Sequence, residues 1–214
     1  FVSKEFCEGR RSPYFKPVSL FLISIVIYLL FPLMQGMNIS LGSHIGNNNQ
    51  IHLYYSRNWA LHKMEHQHLS EKELVEKFDH VSPKVAKILM LLLLPLTALS
   101  LNLLFRNKKR YFFDHFILST EFNSFFLLFF FILLPALILG ISSLFHIEID
   151  YGDSPGFLII QCLLTLTMLI LEFIRFYGVL FAEALVKALL FFVLFIICLF
   201  IYRQVIFIVV MLLI

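Results

Sequence analysis

The chain has 214 residues, 60% of them hydrophobic and 14% charged, with a formal net charge of +3 and a mean hydropathy of +0.87. Soluble domains run nearer about 45–50% apolar and about 25% charged, so an ordinary water-soluble domain is excluded. Runs such as ILMLLLLPLTALSLNLLF and FFLLFFFILLPALILG lack the alternation of barrel strands and approach the roughly 20 residues a helix needs to cross a hydrocarbon core. The expected fold class is all-α: a polytopic membrane protein of about five transmembrane helices, with a partly helical external loop between the first two.

Residues 1–16 read as a cytoplasmic N-terminal segment and 17–214 as a single transmembrane domain. The first residue is Phe rather than Met, so a preceding segment is expected. Lys4, Arg10, Arg11 and Lys16 ahead of an apolar run imitate a signal peptide. No small-residue cleavage site follows Leu33, so the run reads as a retained first span, 17–35. The extramembrane loop, 36–82, opens on a flexible Gly/Asn/Ser-rich stretch with a glycosylation sequon at Asn38-Ile39-Ser40. Tyr54, Tyr55 and Trp59 then suit an interfacial belt. Ser70 with Glu73 spells a capping box opening a helix through about Asp79. Ser82-Pro83 signals the next helix start, with Ser as N-cap and Pro in first position.

Span two is expected over 83–105 with Pro95 near its middle, and span three over 116–143 with Pro135 and Gly140 in its far half. A proline inside a span removes one backbone hydrogen bond and kinks the helix. Spans four and five follow at 157–174 and 184–206 or beyond, separated by a turn that begins at Phe176-Tyr177-Gly178. Cys7, Cys162 and Cys198 are isolated and no CxxC pair exists, so they read as packing residues rather than a zinc or disulfide framework.

Five spans place Arg10, Arg11 and Lys16, then Arg106, Lys108, Lys109 and Arg110, then Arg175 and Lys187 on one face. The short loop on the other face, His146 to Gly156, carries acids only. The positive-inside rule puts the basic face and the N-terminus in the cytoplasm, with loop 36–82 and the C-terminus outside. These short basic stretches beside spans read as contacts with lipid headgroups, and no nucleic-acid site is expected.

Two clusters carry possible chemistry. His62-Lys63-Met64-Glu65-His66 fits the H-x-x-E-H spelling of inverted zinc peptidases, with His68, Glu73 or Glu76 as further ligand. The plainer reading is an exposed amphipathic helix on the membrane surface, and a loop of this length is short for a peptidase domain. The second cluster is Asp114, His115, Ser119, Glu121 and Asn123 at the start of span three. His115, Ser119 and Asn123 follow i, i+4, i+8 and form one stripe, with Asp114 and Glu121 in a neighbouring row. Ionisable groups inside a membrane are costly and face the bundle interior or water, which makes Glu121 the residue to watch. The plainer reading pairs these acids with Arg106, Lys108 or Arg110 to hold the helix end. Gln161, Thr165, Met168 and Glu172 share one side of span four, where such groups usually bond to neighbouring helices. Glu172 with Arg175, and Glu183 with Lys187, are helix-spaced pairs.

FCEGRRSPYFKPVSLF, RYFFDHFILSTEFNSF and RFYGVLFAEALVKALLFF, in that order, resemble the bacterial domain-of-unknown-function 3667 family. The resemblance falls on Gly9, Arg10, Arg11, Tyr14 and Pro17, on the start of span three, and on Arg175, Tyr177, Gly178 and Lys187. It implies a polytopic protein of the bacterial inner membrane and names no activity. Members often carry His where this chain has Glu121 and Asn123, and commonly begin with a Cys-rich segment that this chain lacks.

No Walker loop, G-x-S-x-G or Rossmann glycine pattern is present. His115 and His146 lie at opposite ends of one expected span, which argues against a bis-histidine haem. The expected role is a non-enzymatic structural or accessory subunit, with lipids and other membrane proteins as partners and no cofactor. Two rivals are a small-solute transporter or channel using proline-broken spans two and three with Glu121, and a zinc-binding membrane enzyme at His62, His66 and His68.

Overall fold

A computed structural model describes residues 2–7, 16–30, 41, 58–64, 70–108, 110–145 and 155–214. Among them there is no strand. Apolar surroundings leave a backbone no water to bond to, so each N–H and C=O must find its partner within the segment, and a helix does this. The helices are α1 (Val2–Cys7), α2 (Pro17–Leu30), α3 (Glu71–Leu89), α4 (Leu93–Leu104), α5 (Phe112–Phe125), α6 (Leu134–Phe145), α7 (Pro155–Tyr177) and α8 (Phe181–Leu213). Residues 58–64 are helical as well.

Four stretches are long and apolar enough to cross a membrane: Glu71–Leu104, Phe112–Leu144, Ile159–Tyr177 and Phe181–Leu213. The 14 residues of α2 are as apolar, but at about 1.5 Å per residue they cover about 21 Å of a roughly 30 Å core. The remainder of the expected first span, 31–35, lies outside the described residues, as do the sequon, Tyr54 and Tyr55.

Pro83 does not start a helix. The Ser70 cap opens α3, which runs through Pro83 to Leu89. Glu73 N–H donates to Ser70 Oγ at 3.4 Å, and Ser70 N–H donates to Glu73 Oε2 at 2.8 Å. Leu74, Phe78, Ser82, Val85 and Ala86 then form one buried stripe at helical spacing. Keeping that face buried outweighs the single backbone bond that Pro83 removes. Ser82 is therefore a buried helix residue instead of a cap.

Pro95 and Pro135 are each preceded by a departure from α geometry. A 3₁₀ turn, Met90–Leu92, leads into α4, and a π-helical stretch, Phe126–Leu133, leads into α6. Pro135 has no N–H to offer the Phe131 carbonyl. The Leu134 N–H reaches back to the Phe129 carbonyl, five residues earlier, so the ladder widens ahead of the proline. Rings fill the widened turn: Phe126 lies edge-on to Phe131 and Phe195, with centroids 5.6 and 5.0 Å away.

The chain forms two compact units. One comprises Phe1–Met34 and Leu93–Cys198, with α5 packed against α1, α2 and α4. Phe21, Phe105, Phe122, Phe130, Phe173 and Phe191 are fully buried within it. Lipid tails are as apolar as these rings, so close packing and interhelical hydrogen bonds, rather than escape from water, must hold such helices together. The other unit comprises Gln35–Leu92 and Leu199–Ile214. There Trp59 and Phe78 pack on Phe207, each at 6.0 Å between centroids. The Tyr202 hydroxyl donates to the Ala86 carbonyl at 2.9 Å, and the Lys63 ammonium donates to the Met211 carbonyl.

Candidate functional site

The five candidate residues of α5 are brought to four different neighbours. Asp114 stays at the helix end, where its carboxylate accepts from Tyr111 N–H at 3.3 Å and lies 3.9 Å from the Arg110 guanidinium. That is the plain role of an acid in a first helical turn. His115 is buried, with Nδ1 2.7 Å from the Tyr177 hydroxyl. The Tyr177 ring stacks on Phe105 at 3.6 Å between centroids and 7° between planes.

One turn further, Ser119 and Asn123 meet α4 in a buried clasp around Thr97. Asn123 Nδ2 donates to Thr97 Oγ1 and to its own helix at the Ser119 carbonyl, both at 2.8 Å. The Ser119 and Thr97 hydroxyls bond to one another, and Ser119 Oγ also donates to the Leu94 carbonyl at 2.8 Å. Asn123 Oδ1 has no partner. A third contact of the same kind joins α4 to α8, where Ser100 Oγ and Cys198 Sγ are 3.3 Å apart. The predicted stripe of His115, Ser119 and Asn123 is real, but its side chains bond to neighbouring helices. They do not converge on a common pocket.

Glu121 turns to α1 instead. Its Oε2 accepts from the Ser3 N–H at 2.8 Å and from the Ser3 hydroxyl. Ser3 also lines a cavity with a residue of α7 whose helix-spaced pairing does not form. Glu172 is only 9% exposed and its Oε2 has no hydrogen-bond partner. It lines a cavity of about 10 Å³ together with Ser3, Lys4, Leu118, Arg175 and Phe176. The helix spacing pairs Glu172 with Arg175, yet Arg175 is exposed and no ion pair joins the two among the described residues. The other reading, which puts Glu172 on one side of the helix with Thr165, agrees with its burial: Thr165, Leu169 and Glu172 are all buried.

The basic residues gather at one end of this unit. Arg110 donates to the Phe176 carbonyl at 3.2 Å and covers the Phe176 ring at 5.1 Å. Lys187 covers the Phe105 ring at 4.2 Å and pairs with Glu183 at 2.8 Å. Lys16, Arg106 and Arg175 are exposed, and Lys108 is half-buried. Arg10, Arg11 and Lys109 lie outside the described residues. Of the proposed zinc ligands, His62 is exposed on the helical stretch 58–64, while Glu65, His66 and His68 lie outside the described residues. Among the described residues no group of three or more His, Cys, Asp and Glu is placed to hold a metal.

Comparison of the chain with protein-family models, with curated proteins and with solved structures returns no match. What the site can do must therefore be read from its chemistry. One half of it, the clasp, is structural glue. The other half is Glu121 bonded to Ser3, with Glu172 buried on the cavity that Ser3 also lines.

Proposed function

We propose that the chain is a five-span protein of the bacterial inner membrane, similar to the domain-of-unknown-function 3667 family, that serves as a structural or accessory subunit against other membrane proteins. The observation that carries this reading is where the polarity of α5 goes. Asp114, His115, Ser119 and Asn123 are bonded to Arg110, Tyr177 and Thr97 of the same chain, which leaves little to contact a solute. The outward face of α8 is correspondingly bare: Val186, Leu189, Leu190, Val193, Ile196 and Ile197 form an exposed apolar stripe at helical spacing. In a bilayer such a stripe faces acyl chains or a neighbouring helix.

The gathering of Arg110, Arg175 and Lys187 at one end supports a cytoplasmic N-terminus and headgroup contacts there. Purification in mild detergent, followed by identification of co-purifying chains, tests the proposal. A partner held at fixed stoichiometry supports it. A lone monomer with a hydrated passage reaching Glu121 would overturn it in favour of the small-solute transporter.

A further inference from the structure

We propose that Glu172 and Glu121, tied to α1 through Ser3, form a buried site that binds and releases one proton. This goes beyond the accessory role and does not depend on it.

Glu172 is nine-tenths buried with one carboxyl oxygen unpartnered, and it lines the cavity beneath α1. A buried carboxylate without a partner is costly, so a carboxyl so placed is held neutral or counter-charged. Ser3, which lines that cavity with Glu172, is bonded to Glu121, and two acids sharing a site hold a proton between them more readily than two negative charges. Glu121 accepts hydrogen bonds from both the backbone N–H and the hydroxyl of Ser3, whereas Glu172 keeps an oxygen without a partner. Glu172 is then the member that carries the proton.

Size selects the ligand. A cavity of about 10 Å³ has room for about one water-sized sphere and for no organic solute. Lys4 and Arg175 line the same space and disfavour a second cation. On release, the O–H bond of Glu172 breaks and the proton passes to water at the cavity. The charge left behind is countered by the Lys4 ammonium or the Arg175 guanidinium, whose long stems reach it by a change of rotamer. Other titratable groups acting on this region include the amino group at the start of the chain, Cys7 on α1, Asp114 and His115 on α5, Tyr177 on α7 and Arg110 before α5. Glu172 stands five residues before the end of α7, about 7.5 Å at about 1.5 Å per residue, so the path to the basic end is short.

Infrared difference spectroscopy of the protein in lipid vesicles, in H₂O and in D₂O, tests this. The expected spectrum has a carbonyl band of a neutral carboxylic acid in water-poor surroundings. That band is lost reversibly as pH rises and shifts within minutes of transfer to D₂O. Glu172→Gln abolishes it, whereas Glu121→Gln keeps it and moves its loss to lower pH, as removal of a neighbouring like charge requires. Ser3→Ala leaves both carboxyls in place and displaces the midpoint, which keeps the test decisive should Glu172→Gln fail to fold. Absence of the band, indifference to pH or D₂O, or survival in Glu172→Gln overturns the proposal. So does a midpoint that moves with sodium concentration at fixed ionic strength, which would make the ligand a metal cation.

Discussion

Replacing Thr97 by Val removes the centre of the α4–α5 clasp while nearly conserving its shape. Thr97 is fully buried, so the substitution leaves no large cavity. It does remove two interhelical bonds, the one Thr97 accepts from Asn123 and the one it shares with Ser119. Neither partner is stranded, because Ser119 keeps the Leu94 carbonyl and Asn123 Nδ2 keeps the Ser119 carbonyl, each at 2.8 Å. The cost is therefore the bonds themselves, about 0.6 kcal/mol each in a membrane and about 1 kcal/mol together. That is roughly a fivefold change in the folding equilibrium, at about 1.4 kcal/mol per tenfold. Ser119→Ala removes the shared Thr97 contact and the bond to Leu94, and is expected to cost the same. The double variant loses three distinct bonds instead of four, so the two effects fall short of additivity by about 0.6 kcal/mol. Steric trapping in bicelles measures all three variants. A loss above about 3 kcal/mol for Thr97→Val would show that stranded polar groups dominate, and strict additivity would show that Thr97 and Ser119 do not share a bond.

Three further outcomes are expected. Gly178 ends α7 at φ +62°, with nothing within 4 Å of an added Cβ. Gly178→Ala should therefore cost about 1 kcal/mol through backbone strain alone and Gly178→Asn less; equal stability of all three in the trapping assay would refute the left-handed turn. Tyr177→Phe loses the hydrogen bond to His115 and keeps the stack on Phe105, for a loss of about 1 kcal/mol with the near-UV dichroism of the rings unchanged. The third concerns pH. The Ser70 backbone N–H, then the Ser70 hydroxyl, hold the Glu73 carboxyl below its ordinary 4.5. A folded-state value lowered in this way adds stability above the unfolded value and loses it as pH falls through the folded one. Exchange protection at residues 71–73, corrected for intrinsic rates, should drop as pH falls below the ordinary 4.5, and Ser70→Ala should show no such drop.

Much of the architecture is written locally. Apolar runs longer than a hydrocarbon core leave the backbone no option but helix, and this needs no knowledge of what packs where. The Ser70–Glu73 cap and the turn at Gly178 are equally local, since each depends on residues within one helical turn. The stripe of His115, Ser119 and Asn123 follows from 3.6-residue periodicity, which tells a reader that a face is buried.

Periodicity does not say which helix lies opposite, and that is decided by the tertiary structure. Thr97 is one residue in an apolar run until α4 is set against α5, and only then does it become the acceptor for Asn123. Glu172 shows the same limit. Three residues of helix turn about 300°, so Arg175 sits some 60° round from it. That offset leaves Arg175 exposed and Glu172 buried, and the apparent pair comes apart. Pro83 fails as a helix start for a related reason, because Leu74, Phe78 and Ser82 bury one continuous face across it. Local chemistry determined that these segments are helices, where several of them begin and end, and which faces are polar. The rotation and neighbours of each rod determined what that polarity does, because a hydrogen bond between helices is a property of two surfaces and is encoded in neither alone.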